Sequence, residues 1–177
     1  MMPSQQTPTV NNMQSPENFI CIKAKSFNDE APLELFAAAD ACAFPVLRHS
    51  QCTINRFDAQ KMQLTRLYSS DTKKYPIGGT KSKSDTGWGR HVLLDKRLFV
   101  GEGTAAIKKS FDDHELIIAL GLRSVINVPL VSKDTCLGTL NFLSRVEHVT
   151  QTQITFAQLL GLLITPTVQA FQGLKPT

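Results

Sequence analysis

LGLRSVINVPLVSKDTCLGTLNFLS, residues Leu120–Ser144, sets two apolar segments around a polar turn. Val125-Ile126-Asn127-Val128 and Leu137-Gly138-Thr139-Leu140-Asn141-Phe142-Leu143 are too short, and too β-branched or glycine-broken, for helices. Ser132-Lys133-Asp134-Thr135 between them is turn chemistry, so the stretch reads as an antiparallel hairpin at the centre of a sheet. Alternation places Leu137, Thr139, Asn141 and Leu143 on one face and Gly138, Leu140 and Phe142 on the other. A strand buried on both faces is continuously apolar, yet this pair carries Asn127, Thr139 and Asn141. One face is therefore expected to pack and the other to line a partly polar cavity.

Upstream, Gln51–Phe57 and Met62–Ser69 also alternate, with Asp58-Ala59-Gln60-Lys61 as the turn between them. That reading sets Leu64, Arg66 and Tyr68 on one face. Ser70–Asp85, broken by Pro76 and Gly78-Gly79, reads as a loop long enough to be functional or mobile. Thr86 can cap a short helix carrying Trp88, Val92 and Leu93; Leu98-Phe99-Val100 reads as a brief strand, and Asp112–Leu120 as a helix stopped by Gly121. A first helix begins after Asn28 or Asp29, has Pro32 in its first turn, and repeats Leu33, Phe36, Ala37 and Phe44 at helical spacing before Pro45 disturbs it. A last helix, Thr152–Phe171, shows a broad stripe of Ile154, Phe156, Leu159, Leu160, Leu163 and Val168, with Pro166 expected to kink it near Leu162–Leu163. Residues 1–18 are polar and proline-bearing and read as a flexible tail; Phe19–Ile22 is apolar without an assignable type, and residues 19–177 read as one domain.

The chain has 177 residues and is 42% hydrophobic, enough for a single core that buries about 70% of the unfolded surface. Cys21, Cys42, Cys52 and Cys136 are far apart, with no CxxC and no histidine at ligand spacing, so neither a zinc site nor a disulfide framework is signalled. Reduced thiols in a cytoplasmic chain are expected. The N-terminus lacks the layout of a signal peptide, and no run of apolar residues approaches the roughly 20 needed to cross a bilayer. Between Lys61 and Lys109 eleven basic residues face four acidic ones, a local +7 against +4 overall. Such a segment can attract an anion, but no helix-turn-helix, RNA-binding or zinc signature accompanies it, so solvated lysines explain it better than a nucleic-acid partner.

The run Leu120-Gly121, Ser124-Val125, Asn127-Val128-Pro129-Leu130, followed by Leu137-Gly138-Thr139-Leu140-Asn141, resembles the end of a GAF domain, a small-molecule-sensing relative of PAS domains. Leu67–Asp71, Tyr75–Gly79, Thr86–Gly89 and Phe111–Ile117 are similar to a bacterial subgroup of free-standing GAF proteins. The resemblance spans Asp29 to Phe171. It implies an α+β fold: a GAF/PAS-like antiparallel sheet with terminal helices on one face and a ligand pocket on the other. It also implies a homodimer through the terminal helices and a protein partner that takes the output, since the chain has no room for a kinase, cyclase or DNA-binding unit.

Nucleophilic catalysis needs a Cys or Ser beside a base, and the four histidines, His49, His91, His114 and His148, show no local signature with any thiol. One GAF branch, the free methionine sulfoxide reductases, uses closely spaced cysteines, whereas this chain has only Cys136 in its later half. The Cys-His pair of bilin-attaching relatives and the Asn-Lys-x-Asp pattern of cyclic-nucleotide-binding relatives are both absent. A non-enzymatic sensor is expected, with a redox enzyme working through Cys52 or Cys136 as the alternative. The candidate site residues are Arg66, Tyr68, Tyr75, Trp88, His114, Arg123, Asn127, Thr139 and Asn141. Arg66 offers a fixed fork of donors to an anionic ligand. Trp88 and Tyr75 form an aromatic wall or anchor a loop, and His114 is a ligand contact or an ordinary helix-surface residue. The amides of Asn127 and Asn141 must be satisfied, by a ligand or water on one account and by a neighbouring group on the other. Nothing in the sequence names the small-molecule ligand or a cofactor.

Overall fold

A computed structural model describes residues 32–173 of the chain. The expected tail, the Phe19–Ile22 segment and the Asn28 or Asp29 cap lie outside the described residues. Six strands form one antiparallel sheet: β1 (Gln51–Asp58), β2 (Gln63–Ser69), β3 (Thr80–Ser82), β4 (Phe99–Glu102), β5 (Ser124–Ser132) and β6 (Thr135–Ser144), in the spatial order β3-β2-β1-β6-β5-β4. The β5–β6 hairpin turns through Lys133 and Asp134 at φ 46° and 62°, the doubly left-handed two-residue turn whose twist matches the flanking strands. β6 and β1 are the central pair, so the hairpin is central through β6 while β5 is covered at its outer edge by the short β4.

Two helices cover one face of the sheet, α1 (Pro32–Leu47) and α5 (Gln151–Gly173). Phe36 near the start of α1 stacks on Phe171 near the end of α5, and Gln153 at the start of α5 donates to the Val46 and Leu47 carbonyls, so the helices run antiparallel. Under them lies the main core: Leu35, Phe36, Leu160 and Ile164 from the helices against Ile54, Leu130, Leu140 and Phe142 from the strands, all at 0–1% exposure. Truncating such a residue, Leu140→Ala for instance, costs about 2–5 kcal/mol.

The helix faces differ from the sequence reading. In α1 only Phe36 of the expected set is buried; Leu33 is 50% and Phe44 52% exposed, and the buried face is Leu35, Phe36, Ala39, Cys42, Ala43 and Leu47. The helix runs on through Pro45 to Leu47. In α5, Leu159 is 46% exposed, and the inward positions are Phe156, Ala157, Leu160, Ile164 and Val168. Counting apolar letters also understated this helix. Gln151–Phe171 is 21 residues long and holds an 18-residue stretch of mean hydropathy 1.5, long and apolar enough by length and composition to cross a membrane, because glutamines and threonines interrupt it without adding charge. Its inward side is spent on the sheet and α1.

The opposite face is covered by irregular chain: α2, one turn at Gly87–Gly89, a π-helical segment Arg90–Leu94, and two short helices, α3 (Gly103–Ser110) and α4 (His114–Ala119). Thr86 caps α2 as expected, its hydroxyl accepting from the Gly89 amide at 2.9 Å. α3 went unread in the sequence because Ile107 is its one buried long apolar side chain. Gly121, at φ 77°, ends α4 in the left-handed conformation and turns the chain into β5.

Two bulges change which side chains share a face. In β2 the register against β1 shifts so that Leu67 is passed over, with Ile54 opposite Tyr68 and Asn55 opposite Arg66. Leu67 and Tyr68 consequently both turn to the helix face, while Leu64 and Arg66 stay on the other. In β6 the register against β5 passes over Leu137, which packs under the helices while Cys136 turns to the opposite side. Leu137 therefore does not share the face of Asn141 and Leu143.

Candidate functional site

Between the sheet and its irregular cover lies a cavity of about 70 Å³. Its floor comes from alternating residues of the central strands: Gln51, Thr53 and Asn55 of β1, Val125 and Asn127 of β5, and Asn141 and Leu143 of β6. Leu64 and Arg66 of β2 and Lys81 of β3 continue it to one edge. Tyr75, Gly79, Lys83, Trp88, Phe111, Asp113 and Ile117 close the walls and roof.

The floor is a saturated hydrogen-bond chain with a fixed direction. The Trp88 indole N–H donates to Asn127 Oδ1 at 2.9 Å, and Asn127 Nδ2 donates to Asn141 Oδ1 at 2.8 Å. Asn141 Nδ2 then donates to the Thr53 carbonyl (3.2 Å), the Thr53 hydroxyl (3.2 Å) and the Thr139 hydroxyl (3.1 Å). An indole nitrogen only donates, so it sets the orientation of both amides in turn. Asn127 and Asn141 lie directly opposite each other across β5 and β6, which is why each is the other's nearest partner. Neighbouring side chains thus decide the alternative left open for these amides.

At the other end the donors are not used up. Arg66 stands beside the turn at residues 76–79: its amide donates to the Gly79 carbonyl, its carbonyl accepts from the Gly78 amide, and its Nη1 donates to the Pro76 carbonyl at 2.9 Å. The guanidinium carbon sits 5.2 Å from the centroid of the Tyr75 ring. A side chain at Gly79 would stand 2.9 Å from Nη1, so glycine is what admits the guanidinium here. Burial draws the Arg66 pKa down, while the nearby Tyr75 and Asp113 hold it up. Arg66 Nε and the Tyr75 hydroxyl are both buried without a hydrogen-bond partner. The Tyr75 phenol is pushed up to about 12, by burial first and then by the Asp113 charge, so at neutral pH it remains a donor.

β3 and the linker between α3 and α4 meet at the cavity rim through two ion pairs. Lys81 pairs closely with Asp113, and Lys83 Nζ lies 3.3 Å from Asp112 and 5.4 Å from the Trp88 ring centroid. Lys83 is a lysine with a 4% exposed side chain, while Asp112 is 77% exposed. Neither lysine nor either aspartate was singled out from sequence. Thr80–Ser82 is only three residues long, and the one available signal was the Lys-x-Lys alternation that turns both ammonium groups to one side.

Of the nine expected site residues, Arg66, Tyr75, Trp88, Asn127 and Asn141 line the cavity. Four do not. Tyr68 is turned over by the β2 bulge and donates to Asp40 Oδ2 of α1 at 2.7 Å on the helix face. Thr139, at 0% exposure, lies within the floor and holds Asn141 and Asn55 in place. Arg123 reaches the Ile118 and Leu122 carbonyls at the end of α4, where its charge complements the helix terminus. His114 hydrogen-bonds the Phe111 carbonyl through Nδ1 at 2.8 Å and faces a separate surface depression. The missed residues on the sheet, Gln51, Thr53 and Asn55, follow from the alternation of β1, which was legible but was not carried to its side chains.

The thiols lie apart. Cys52 belongs to the helix-side core and Cys136 to the cluster around Trp88 and Val92 on the other face. Burial raises both, Cys136 to about 11 and Cys52 well above the ordinary thiol value, with the Asp40 charge adding to the shift at Cys52. Among the described residues no group of three or more His, Cys, Asp or Glu side chains is placed to hold a metal ion.

The profile of the GAF domain family matches residues 33–166. No curated protein sequence matches the chain closely enough to count as a relative. Among solved structures, the GAF domain of an Acinetobacter phosphoenolpyruvate-protein phosphotransferase superposes with a TM-score of 0.69 at 13% identity, covering 92% of this chain and 99% of that one. The phycoerythrobilin-bound GAF domain of a cyanobacterial phytochrome gives 0.68 at 13% identity, covering 92% and 98%. Residues 122 to 287 of a methyl-accepting chemotaxis protein give 0.67 at 15%, covering 88% and 99%. At such identities the likeness is one of fold.

Proposed function

The chain belongs to the GAF domain family, and on that premise we propose that it is a non-catalytic, cytoplasmic sensor that binds a small molecule, its output read by a partner protein. The observation that carries this reading is the cavity between the central strands and the cover, with a rigid floor and a wall held by reversible ion pairs. An occupant touching Lys81, Lys83 and Asp113 bears on the pairs that fasten β3 to the α3–α4 linker, so occupancy and the arrangement of the cover are energetically linked. The phytochrome GAF domain of the same fold is phycoerythrobilin-bound, whereas a cavity of about 70 Å³ favours a much smaller ligand here.

Thiols raised by burial and lying on opposite faces of the sheet favour binding over redox chemistry. The outer faces of the terminal helices leave Leu33, Phe44, Leu159 and Leu162 at 46–70% exposure, and we assign this surface to homodimer contact. Native mass spectrometry of freshly purified protein, followed by thermal melting with the released compound, tests the sensor reading. Protein that carries no small molecule, and that no fraction of a cell extract protects from unfolding, would sink it. Sedimentation of the parent against Leu162→Glu tests the dimer: a monomeric parent at micromolar concentration removes that part of the proposal.

A further inference from the structure

The cavity has two chemically distinct ends. At the floor the Asn127 and Asn141 amides are partnered by Trp88, by each other and by Thr53, so a ligand gains little by competing for them. At the β2 edge two donors, Arg66 Nε and the Tyr75 hydroxyl, are buried and partnerless, on side chains that both line the cavity. Leaving such donors unpaired is costly, so the edge is built for an acceptor that the polypeptide does not supply. Water can meet these donors, but an anion would also give Arg66 the contact charge it lacks. Lys81 and Lys83 have Asp113 and Asp112, whereas among the described residues no carboxylate lies within ion-pair distance of Arg66. An anionic acceptor would supply both the missing hydrogen bonds and that contact charge.

Its shape follows from the same atoms. Nη1 is committed to the Pro76 carbonyl, which leaves the Nε side of the guanidinium, a planar fork that matches two coplanar oxygens. The remaining lining that faces an occupant is largely apolar: Leu64, Trp88, Phe111, Ile117, Val125 and Leu143. A cavity of about 70 Å³ suits a small occupant.

We propose that the cavity binds a small short-chain monocarboxylate, its carboxylate on the Nε edge of Arg66 and the Tyr75 hydroxyl, and its alkyl part against the apolar wall. This rests on the reading of the chain as a small-molecule sensor and narrows it to a ligand class. The carboxylate takes the place of the partner that Arg66 lacks. Because the turn at residues 76–79 holds the Arg66 backbone through two hydrogen bonds and its guanidinium through one, with the Tyr75 ring beside it, part of the ordering cost is met before binding.

The test uses the full chain and three probes of similar size: butyrate, its neutral isostere butyramide, and inorganic phosphate. Butyrate should raise the melting temperature and bind by calorimetry, while butyramide and phosphate bind at least about tenfold more weakly. Arg66→Lys should lose about tenfold or more in butyrate affinity, since a lysine cannot present the fork. Tyr75→Phe should lose affinity several-fold yet melt, without ligand, at or above the parent temperature, because it deletes an unpaired buried donor. That pairing of weaker binding with undiminished stability is not produced by a merely structural tyrosine, and it stands even if Arg66→Lys fails to fold. Butyramide binding as well as butyrate would overturn the anionic class, and phosphate binding as well would overturn the alkyl part. No response to millimolar butyrate, in a protein that a co-purified neutral or larger compound still protects from unfolding, would overturn the carboxylate and leave the sensor reading standing.

Discussion

The indole–amide chain under the cavity can be taken apart quantitatively. Replacing Asn127 by Ala removes the acceptor of the Trp88 N–H at 2.9 Å and the donor to Asn141 Oδ1 at 2.8 Å. Trp88 is 7% exposed, so its N–H cannot turn to solvent and is left unsatisfied at about 1–3 kcal/mol. With the lost bond to Asn141 the expected cost is roughly 2–4 kcal/mol, a sizeable share of the ~5–15 kcal/mol that keeps a domain folded. Trp88→Phe deletes the donor from the other side, orphans Asn127 Oδ1 and removes volume, for a similar roughly 2–4 kcal/mol. In the double variant neither atom of the junction remains to be orphaned. The pair should therefore cost about 1–3 kcal/mol less than the sum of the singles. Urea unfolding followed by far-ultraviolet circular dichroism is the assay, because Trp88 is the sole tryptophan and its fluorescence disappears with the substitution. Strict additivity, within about 0.5 kcal/mol, would refute the claim that this hydrogen bond orients the floor.

Gly138→Ala should destabilise the chain by about 3 kcal/mol or more in the same assay, since the new methyl would stand 1.9 Å from the Asn55 carbonyl oxygen on the adjoining central strand and backbone has to move; a loss below 1 kcal/mol would mean that β1 and β6 are not held as closely as described. The two tyrosines, Tyr68 and Tyr75, have phenols raised above the ordinary value, Tyr68 by burial and then Asp40, and Tyr75 to about 12. A raised folded pKa favours the protonated fold, so stability is intact below about pH 10 and falls as pH climbs from there through 12; absorbance at 295 nm should show phenolate appearing with unfolding, and a full two-tyrosine step near pH 10 in folded protein would contradict it. Denaturing thiol titration of fresh protein should find all four cysteines reduced, while in the native state Cys42, Cys52 and Cys136 react slowly because burial keeps them protonated; fewer than four groups under denaturing conditions would count against reduced thiols.

The sheet was legible where pattern and turn chemistry agreed. The β5–β6 hairpin and the β1–β2 pair each showed alternation closed by polar turn residues, and the strands fall within a few residues of those limits. What strict alternation could not carry was the pair of bulges. Leu67-Tyr68 and Cys136-Leu137 are adjacent apolar pairs inside otherwise alternating strands, and in each case one residue is passed over in the register. Both members of the first pair find apolar surroundings on one face, whereas the second pair is divided between the two. A doubled apolar residue is thus a usable sign of a bulge, but the direction of the turn is decided by what each side offers. Tyr68 had Asp40 of α1 to donate to, a partner distant in sequence and invisible to local reading. The exposed faces of α1 and α5 were misjudged for a related reason: spacing identifies a stripe, but two packed helices divide it between sheet, neighbour and solvent.

The candidate site divides along the same line. Polar residues on the central strands drew notice because an amide there requires a partner, and the partner proved to be the next polar residue across the ladder, Asn127 against Asn141. A sheet face that carries a cluster of amides and threonines can satisfy itself, and once it does it becomes a fixed surface with no unmet demand. Demand survives where a strand meets irregular chain. Arg66 spends its backbone and one guanidinium nitrogen on a turn rich in proline and glycine, whose lone side-chain offering nearby, Tyr75, is itself a donor. The Arg66 Nε and the Tyr75 hydroxyl do not bond each other, and an acceptor from outside the chain can serve both. Unpaired donors, more than polar residues as such, therefore separate the part of this cavity that holds the fold together from the part available to a ligand.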